Sequence, residues 1–419
     1  MISEWRSRFN RKFAPEQYVR LLDWLENRCR TRVEFRVAET PIFVERELLD
    51  GMAAAGADLA RTLLGDPSYL SAAREAIPAG YCVAGENAHP HFLTADFALM
   101  RDGDGNLVPK LVEIQAFPSV YGYQFVLSEG YRQIFNLGQG LGTFLSGLDE
   151  AAYWDLLGRT VLGGHDPETV VLTEVDPLHQ KTRPDFEVTA ERLGIAVVDI
   201  ATLEPVGNRL HYRNAAGKQV PIARIYNRAI ADELMARKIN LPFDLTTAWD
   251  VEWAGHPNWY FLISKFSIPW LCRGRHAVVP PAVFLDQFLE GDGRARLEAA
   301  GVGLPRPDQN AIYNELLLKP LFSFAGKGIQ FDPKQGELEA IPKEKRADYL
   351  LQQKMRFEPT IDTPCGMTQA EIRILYLWPD DGELTPVIPL VRLGRGKMMG
   401  VDHNRNQEWV GASAGFFPV

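Results

Sequence analysis

The sequence predicts a mixed α/β (α+β) fold, and three patterns carry that expectation. Apolar residues recur at helical spacing over positions 1–80, as amphipathic helices require. Two segments, at 91–115 and 371–393, alternate apolar and polar residues on either side of Asp-Gly turns, the signature of β-hairpins. Between them, 169–200 reads strand, helix, strand, the spacing of a βαβ unit with a parallel sheet.

Composition narrows the function classes. The 419 residues favour two or three domains. With 46% hydrophobic and 24% charged residues, the chain is ordinary for a globular protein with a sizeable core. A net charge of −9 speaks against broad nucleic-acid binding, which favours a basic footprint. Cys29, Cys82, Cys272 and Cys365 lie far apart without C-x-x-C spacing. Neither a structural zinc site nor a disulfide framework is expected, and reduced thiols suit a cytoplasmic protein. The opening residues MISEWRSRFNRKF lack the apolar core of a secretory signal. No run approaches the ~18 apolar residues of a membrane span, so no membrane partner is expected. The pattern specifies no oligomeric state.

The first elements are helical. Leu21, Leu22 and Leu25 share a stripe, and 48–64 repeats it with Ala53, Ala54, Ala55 and Ala60, strong helix formers. A helical layer over 1–89 is expected to pack on a sheet. A strand at 91–99 follows, then the turn Asp102 to Asn106 and a returning strand at 107–115. In that strand Lys110, Val112 and Ile114 face one way and Leu111, Glu113 and Gln115 the other, with Asp96 on the second face across the hairpin. Two carboxylates and an amide oxygen suit Mg²⁺, which takes hard oxygen ligands; equally, they are what solvated strands carry. Helix and glycine-punctuated loop fill 128–165. The βαβ unit has no G-x-G-x-x-G after its first strand, so it is not read as a dinucleotide site. Further strands are expected at 211–213 and 222–226, the latter ending in Arg228, which either meets an anionic substrate or forms an ion pair.

The later chain carries the phosphate signal. Lys265 sits among apolar neighbours in LISKFSI, at a strand or helix edge, either snorkelling to water or meeting a phosphate. An amphipathic helix is expected at 283–300. The stretch 314–331, NELLLKPLFSFAGKGIQF, reads strand, loop, strand. Lys319 ends the apolar run, and the loop holds Ser323, Ala325, Gly326, Lys327 and Gly328. Glycine lets backbone N–H groups approach phosphates and lysine neutralises their charge. It is not a Walker loop, because G-x-x-x-x-G-K-[ST] is absent. At 349–355 a strand runs into a linker, where Gln352, Gln353, Lys354 and Met355 can supply backbone groups to an adenine edge. Strands at 371–378 and 387–393 flank a turn at 380–382. Arg392, Arg395 and Lys397 cluster at a strand end, and 401–415 reads as a polar loop.

Taken together, Asp96 with Glu113 and Gln115, the Ser264 and Lys265 segment, Lys319 and Pro320 with the Gly326 to Gly328 loop, Gln352 to Lys354, and Gly411 to Ser413 resemble the ATP-grasp enzymes. The order resembles the circularly permuted ATP-grasp group that includes glutathionylspermidine synthase, because the acidic strand precedes the lysines. The resemblance spans about 90–419. It implies a circularly permuted ATP-grasp fold with a preceding βαβ (pre-ATP-grasp) domain. Its divisions would be a helical region at 1–89, a metal-binding hairpin with helices at 90–164, a pre-ATP-grasp-like domain at 165–250, and nucleotide-binding lobes at 251–419. Asp96, Glu113 and Gln115 would bind Mg²⁺. Lys265 and Lys319 would contact ATP phosphates, Ser323 to Gly328 would form the lid, and Gln352 to Met355 would line the adenine slot. Arg373 and Arg392 are the candidate catalytic cations. Two departures stand out: Gln115 replaces the family's asparagine, and Thr94 stands where glutathionylspermidine synthase has an arginine. The resemblance implies an ATP-dependent carboxylate–amine ligase acting through an acyl phosphate, with small-molecule carboxylate and amine substrates. The departures keep open an ATP-binding regulatory or assembly factor; a small-molecule kinase would use the same residues.

Overall fold

The computed structural model describes residues 1–419 apart from 275, 309, 324–325, 401–403 and 405, and the side chain of 232. Four sheets organise the described residues. The largest is an eight-stranded sheet whose central path runs Ile42–Phe43, Gly411–Pro418, Thr385–Gly394, Thr368–Leu377, Phe92–Arg101 and Leu107–Gln115. Its strands are antiparallel except Ile42–Phe43, which runs parallel to Gly411–Pro418.

The two expected hairpins are therefore neighbours in one sheet. Ala95, Phe97, Ile372, Ile374 and Tyr376 are buried on the face that receives the helix Arg46–Leu64. The Tyr376 hydroxyl fastens that helix by donating to the Ala53 carbonyl, 2.9 Å away. On the opposite face Phe92, Leu375, Leu377 and Phe416 pack with the aromatic side of the helix Tyr121–Ile134. The rest of that face carries charged side chains.

A β-bulge corrects the expected facing of the first hairpin. Asp96 pairs with Glu113 and Phe97 with Leu111, so Val112 has no partner opposite it. Inserting one residue reverses the side-chain alternation locally. Leu111 accordingly joins the core with Phe97, while Glu113 stays beside Asp96 on the charged face.

The βαβ expectation holds at residue level. Val170–Glu174 pairs in parallel with Ala196–Asp199 across the helix Arg183–Leu193, and Arg224–Asn227 and Glu252–Ala254 extend the sheet. The third sheet is antiparallel, in the order Ala282–Phe284, Tyr349–Gln353, Leu316–Pro320, Gln330–Phe331. Leu316, Leu318, Leu351 and Val283 turn to its covering helices, where Phe288, Leu297 and Leu338 meet them. The fourth is a small antiparallel sheet of Glu204–Val206, Arg209–Arg213 and Gln219–Pro221.

Two further expectations change and one narrows. The helix expected at 283–300 is the strand Ala282–Phe284 followed by two helices, Leu285–Glu290 and Gly293–Ala299. They break where Gly293 lies so close to the backbone of Gln287 that a Cβ would stand 2.7 Å from its carbonyl carbon. LISKFSI is not a strand but a pair of helix edges, with Leu262 ending one helix and Ser267 opening the next. Lys265 sits in the turn between the short helices Trp259–Leu262 and Ser267–Leu271. The polar loop expected at 401–415 gives way to the strand Gly411–Pro418, whose small residues let it lie between close neighbours; a Cβ on Gly415 would meet Pro389 at 3.1 Å. Residues 401–403 and 405 of that stretch lie outside the described residues. No described helix is long and apolar enough to cross a membrane, and the four cysteines are unbridged.

Candidate functional site

Register alone assembles the charged face. Glu113 lies opposite Asp96, Asp96 opposite Arg373, and Glu371 opposite Arg392. Directly opposed residues share a face, so five ionisable groups from four adjacent strands converge without any loop. Arg373 holds Asp96 in a two-pronged grip, Nε to Oδ1 at 2.6 Å and Nη2 to Oδ2 at 2.7 Å, and its Nη1 reaches the Ser119 hydroxyl at 3.3 Å. Arg392 bridges Asp96 and Glu371 through one nitrogen. Burial works to raise the Asp96 carboxyl, but the two guanidinium groups hold it below its ordinary range. Glu371 goes the other way: burial pushes it up, and Asp96 adds to the rise against the pull of Arg392.

The third sheet supplies the opposing wall. Leu317 is opposite Gln352, Lys319 opposite Leu350, and Ala282 opposite Gln352. These residues share the face turned away from the covering helices. Lys319 reaches across to the central sheet and donates to the Val112 carbonyl at 3.3 Å. Burial brings its ammonium down to about 8, with nearby Lys265 also lowering it and Glu113 opposing the shift. Lys265 approaches from the turn below. Its Nζ stands 3.2 Å from Glu113 Oε1 and donates to the Ser323 carbonyl at 2.7 Å. The Lys265–Glu113 contact is one of charge rather than an aligned hydrogen bond, and buried Glu113 Oε1 has no hydrogen-bond donor. Glu113, Gln115, Ser264, Lys265, Phe322 and Ser323 line the cleft so formed.

Other expected residues fall in different places. Gln352 is fully buried beside this wall, and neither its amide nitrogen nor its oxygen has a partner. Gln353 alternates to the other face of its strand, opposite Leu316. Lys354 forms an ion pair with Asp332, and its backbone N–H bonds the Glu315 carbonyl at 2.8 Å. Met355 follows the strand. Gly326 and Gly328 take positive φ, 73° and 79°, which only glycine adopts at little cost. A Cβ on Gly326 would also run into Met398. Lys327 is exposed, and Ala325 lies outside the described residues. The cations after Arg392 disperse: Arg395 bonds Thr368 and the Glu408 carbonyl, while Lys397 sits over Phe331. Arg228, left open between substrate and ion pair, bonds buried Asp185 at 3.0 Å and the Ser119 carbonyl.

Among the contributors that escaped sequence reasoning, two are instructive. Glu371 could have been found, because it stands two residues before Arg373 on an alternating strand and must share its face. The Val112 carbonyl could not, since nothing in LVEIQ marks a bulge.

For a magnesium ion the donor set fits in part. Glu113 and Gln115 offer oxygens to the cleft, and the orphaned Glu113 Oε1 is the kind of atom a cation satisfies. Asp96 has both oxygens engaged by guanidinium groups. Among the described residues no group of three His, Cys, Asp or Glu side chains is placed to hold a metal.

A sheet-borne charged face roofed by a second, lysine-bearing sheet fits an ATP-grasp-like fold. No protein-family profile matches the chain, and no curated protein matches it in sequence. Among solved structures it is similar to a glutathione synthetase-like effector from Globodera pallida, determined in its apo form. The two share 12% identity over 96% of each chain with a TM-score of 0.55. At that identity the likeness is one of fold.

Proposed function

We propose that this protein is an ATP-dependent ligase joining a carboxylate to an amine on a circularly permuted ATP-grasp scaffold. The observation that carries the reading is the convergence of Lys265 and Lys319, from separate elements, on the strand segment Val112 and Glu113. Fixed cations beside an orphaned carboxylate oxygen suit a triphosphate and its counter-ion. The permuted order is supported by the acidic hairpin standing before the lysine strand in sequence while facing it in space.

In this mechanism a substrate carboxylate oxygen bonds to the γ-phosphorus, the bond to the β,γ-bridging oxygen breaks, and ADP leaves. An amine nitrogen then attacks the acyl carbon, phosphate departs, and the amine gives up a proton. Lys319 and Lys265 hold the phosphates in line. Ser323, Gly326 and Gly328 bring backbone over them, and closure keeps water from the acyl phosphate. Arg373, anchored by Asp96 and Ser119, fixes positive charge behind the reacting oxygens. Mg²⁺ held by Glu113, Gln115 and the nucleotide would neutralise phosphate charge. The test is ADP release in the presence of Mg-ATP and pooled carboxylates and amines. Release that requires both an acid and an amine supports the ligase, and a stable phosphorylated acid formed without an amine would make it a kinase.

One observation favours a second reading, an ATP-binding regulatory or assembly factor. Asp96 is closed off by Arg373 and Arg392, which leaves fewer carboxylate oxygens for a metal. Tight Mg-ATP binding with no ADP under any mixture would establish it.

A further inference from the structure

One short turn ties the parallel sheet to the charged face. Residues 116–120 connect the strand Leu107–Gln115 to the helix Tyr121–Ile134, and the parallel-sheet unit grips them from behind. Arg228 follows directly on the strand Arg224–Asn227 and is buried against the helix Arg183–Leu193, its guanidinium 5.2 Å from the centre of the Phe186 ring. Its Nη1 donates to Asp185 Oδ2 at 3.0 Å and also to the Ser119 carbonyl. Asp185 is fully buried, and its Oδ1 accepts from the Tyr123 N–H at 3.0 Å. Gly122 packs so closely on the same helix that a Cβ there would stand 2.5 Å from Thr189 Oγ1. On its other side the turn offers the Ser119 hydroxyl to Arg373 Nη1, 3.3 Å away. Asp96 engages only Nε and Nη2 of that guanidinium, so the direction of Nη1 is set by Ser119.

We propose that Arg228 and Asp185 are positioning residues for Arg373 and act on it through Ser119. The proposal rests on the ligase reading and gives the parallel-sheet unit a part in it: holding the cation of the charged face in line with the reacting oxygens. Neither Arg228 nor Asp185 touches substrate. Each bears on the turn by its backbone, Arg228 at the Ser119 carbonyl and Asp185 at the Tyr123 N–H, and the turn passes the constraint on through one hydroxyl. Displacing a reacting group's partner by about 1 Å costs up to about a hundredfold in rate, so a loosened turn is felt in the chemical step rather than in nucleotide binding.

The test reads two quantities on the intact protein: solvent exchange of the Arg373 Nη1 protons, by NMR with labelled arginine, and kcat against KM for ATP. Three variants are compared with wild type. The double variant Asp185→Asn/Arg228→Met removes both charges, so no buried ion is left alone, and its amide oxygen can still accept from Tyr123. Arg228→Lys keeps a cation, and one nitrogen suffices because both acceptors meet Nη1. Ser119→Ala leaves the buried pair whole and removes only the last link. Nη1 exchange should quicken about tenfold in the double variant and in Ser119→Ala, the loss of one hydrogen bond. In the double variant kcat should fall by about tenfold or more while KM for ATP stays within about twofold. Arg228→Lys should hold both readouts near wild type. Unchanged Nη1 exchange in the double variant or in Ser119→Ala, an equal loss in Arg228→Lys, or a change confined to KM would overturn the proposal. The exchange readout needs no turnover, so it decides the relay even where absent ADP release sinks the ligase reading.

Discussion

Lys319 donates to the carbonyl of Val112, 3.3 Å away, and Val112 is the residue that bulges out of the first hairpin. The bulge leaves that carbonyl beside a lysine whose burial lowers its pKa to about 8. In the folded protein the ammonium therefore titrates below its unfolded value near 10.5. Below about 8 the buried charge destabilises the fold. Between about 8 and 10.5 the unfolded chain binds the extra proton, so this group's contribution to stability rises with pH. Nucleotide binding should move oppositely, because phosphates need the charged form. Mg-ATP affinity should fall above pH 8, approaching about tenfold per pH unit where the proton is obligatory. Calorimetry from pH 7 to 9.5 checks this, and a flat profile in wild type would remove Lys319 from the phosphate site.

Replacing Asp96 by asparagine removes the buried carboxylate that two half-buried guanidinium groups share, leaving Arg392 only Glu371 and Arg373 only the Ser119 hydroxyl. Breaking one side of a buried ion pair costs about 3–5 kcal/mol. Asp96→Asn should therefore unfold at much lower urea than wild type. A loss within about 0.5 kcal/mol would show that water already screens the Arg373–Asp96 grip.

On the ligase reading Glu113 serves chemistry rather than the fold, and its Oε1 has no hydrogen-bond donor. Glu113→Ala should keep a native circular-dichroism spectrum while ATP turnover drops by about 10²–10³-fold, the range seen when one charge-stabilising group is removed. Unchanged turnover would remove Glu113 from the site.

Gln352 offers a test with opposite signs. Its buried amide has no partner, so Gln352→Leu should stabilise the ligand-free protein by about 1–3 kcal/mol, the cost of an unsatisfied buried polar group. If the amide meets a nucleotide base, the same variant should bind Mg-ATP more weakly. Thermal melts and calorimetry read the two effects separately, and a stabilised variant with unchanged affinity would give Gln352 no part in binding.

Glu174, buried at the carboxyl end of its strand, is pushed up to about 8 by that burial. An acid whose folded pKa is raised loses stability as pH climbs from its unfolded value, near 4.5, to its folded one. Glu174→Gln should therefore stabilise the protein at pH 7 by up to about 3 kcal/mol and have little effect near pH 4. Melting temperatures at the two pH values decide it.

Sequence reasoning read the hairpins and the βαβ unit because their periodicities are local. Asp102 to Asn106 marks its own turn, and 170–199 carries strand, helix and strand in order. It placed Asp96 and Glu113 on one face by alternation alone. It could not place Leu111, because the bulge at Val112 depends on what packs against the hairpin. It also took Gly411 to Gly415 for loop, because small and polar residues carry little strand signal. Their strand character comes from lying between Thr385–Gly394 and Ile42–Phe43. Gln352 and Gln353 looked equivalent in sequence, and only the strand's pairing separates the buried amide from its neighbour.

The strand Gly411–Pro418 has a consequence for how the protein is made. It joins segments whose positions differ by more than three hundred residues, since Ile42 pairs with Gly415 and Leu390 with Ala414. On the ribosome the early helices and the first hairpin emerge long before the strands that must flank them. Until residue 418 is clear of the exit tunnel, the sheet that carries the charged face has an open edge at Thr385–Gly394. Such long-range closure is slow and exposes unpaired strand to other chains. The sheet that carries the charged site is thus complete only after that strand has emerged.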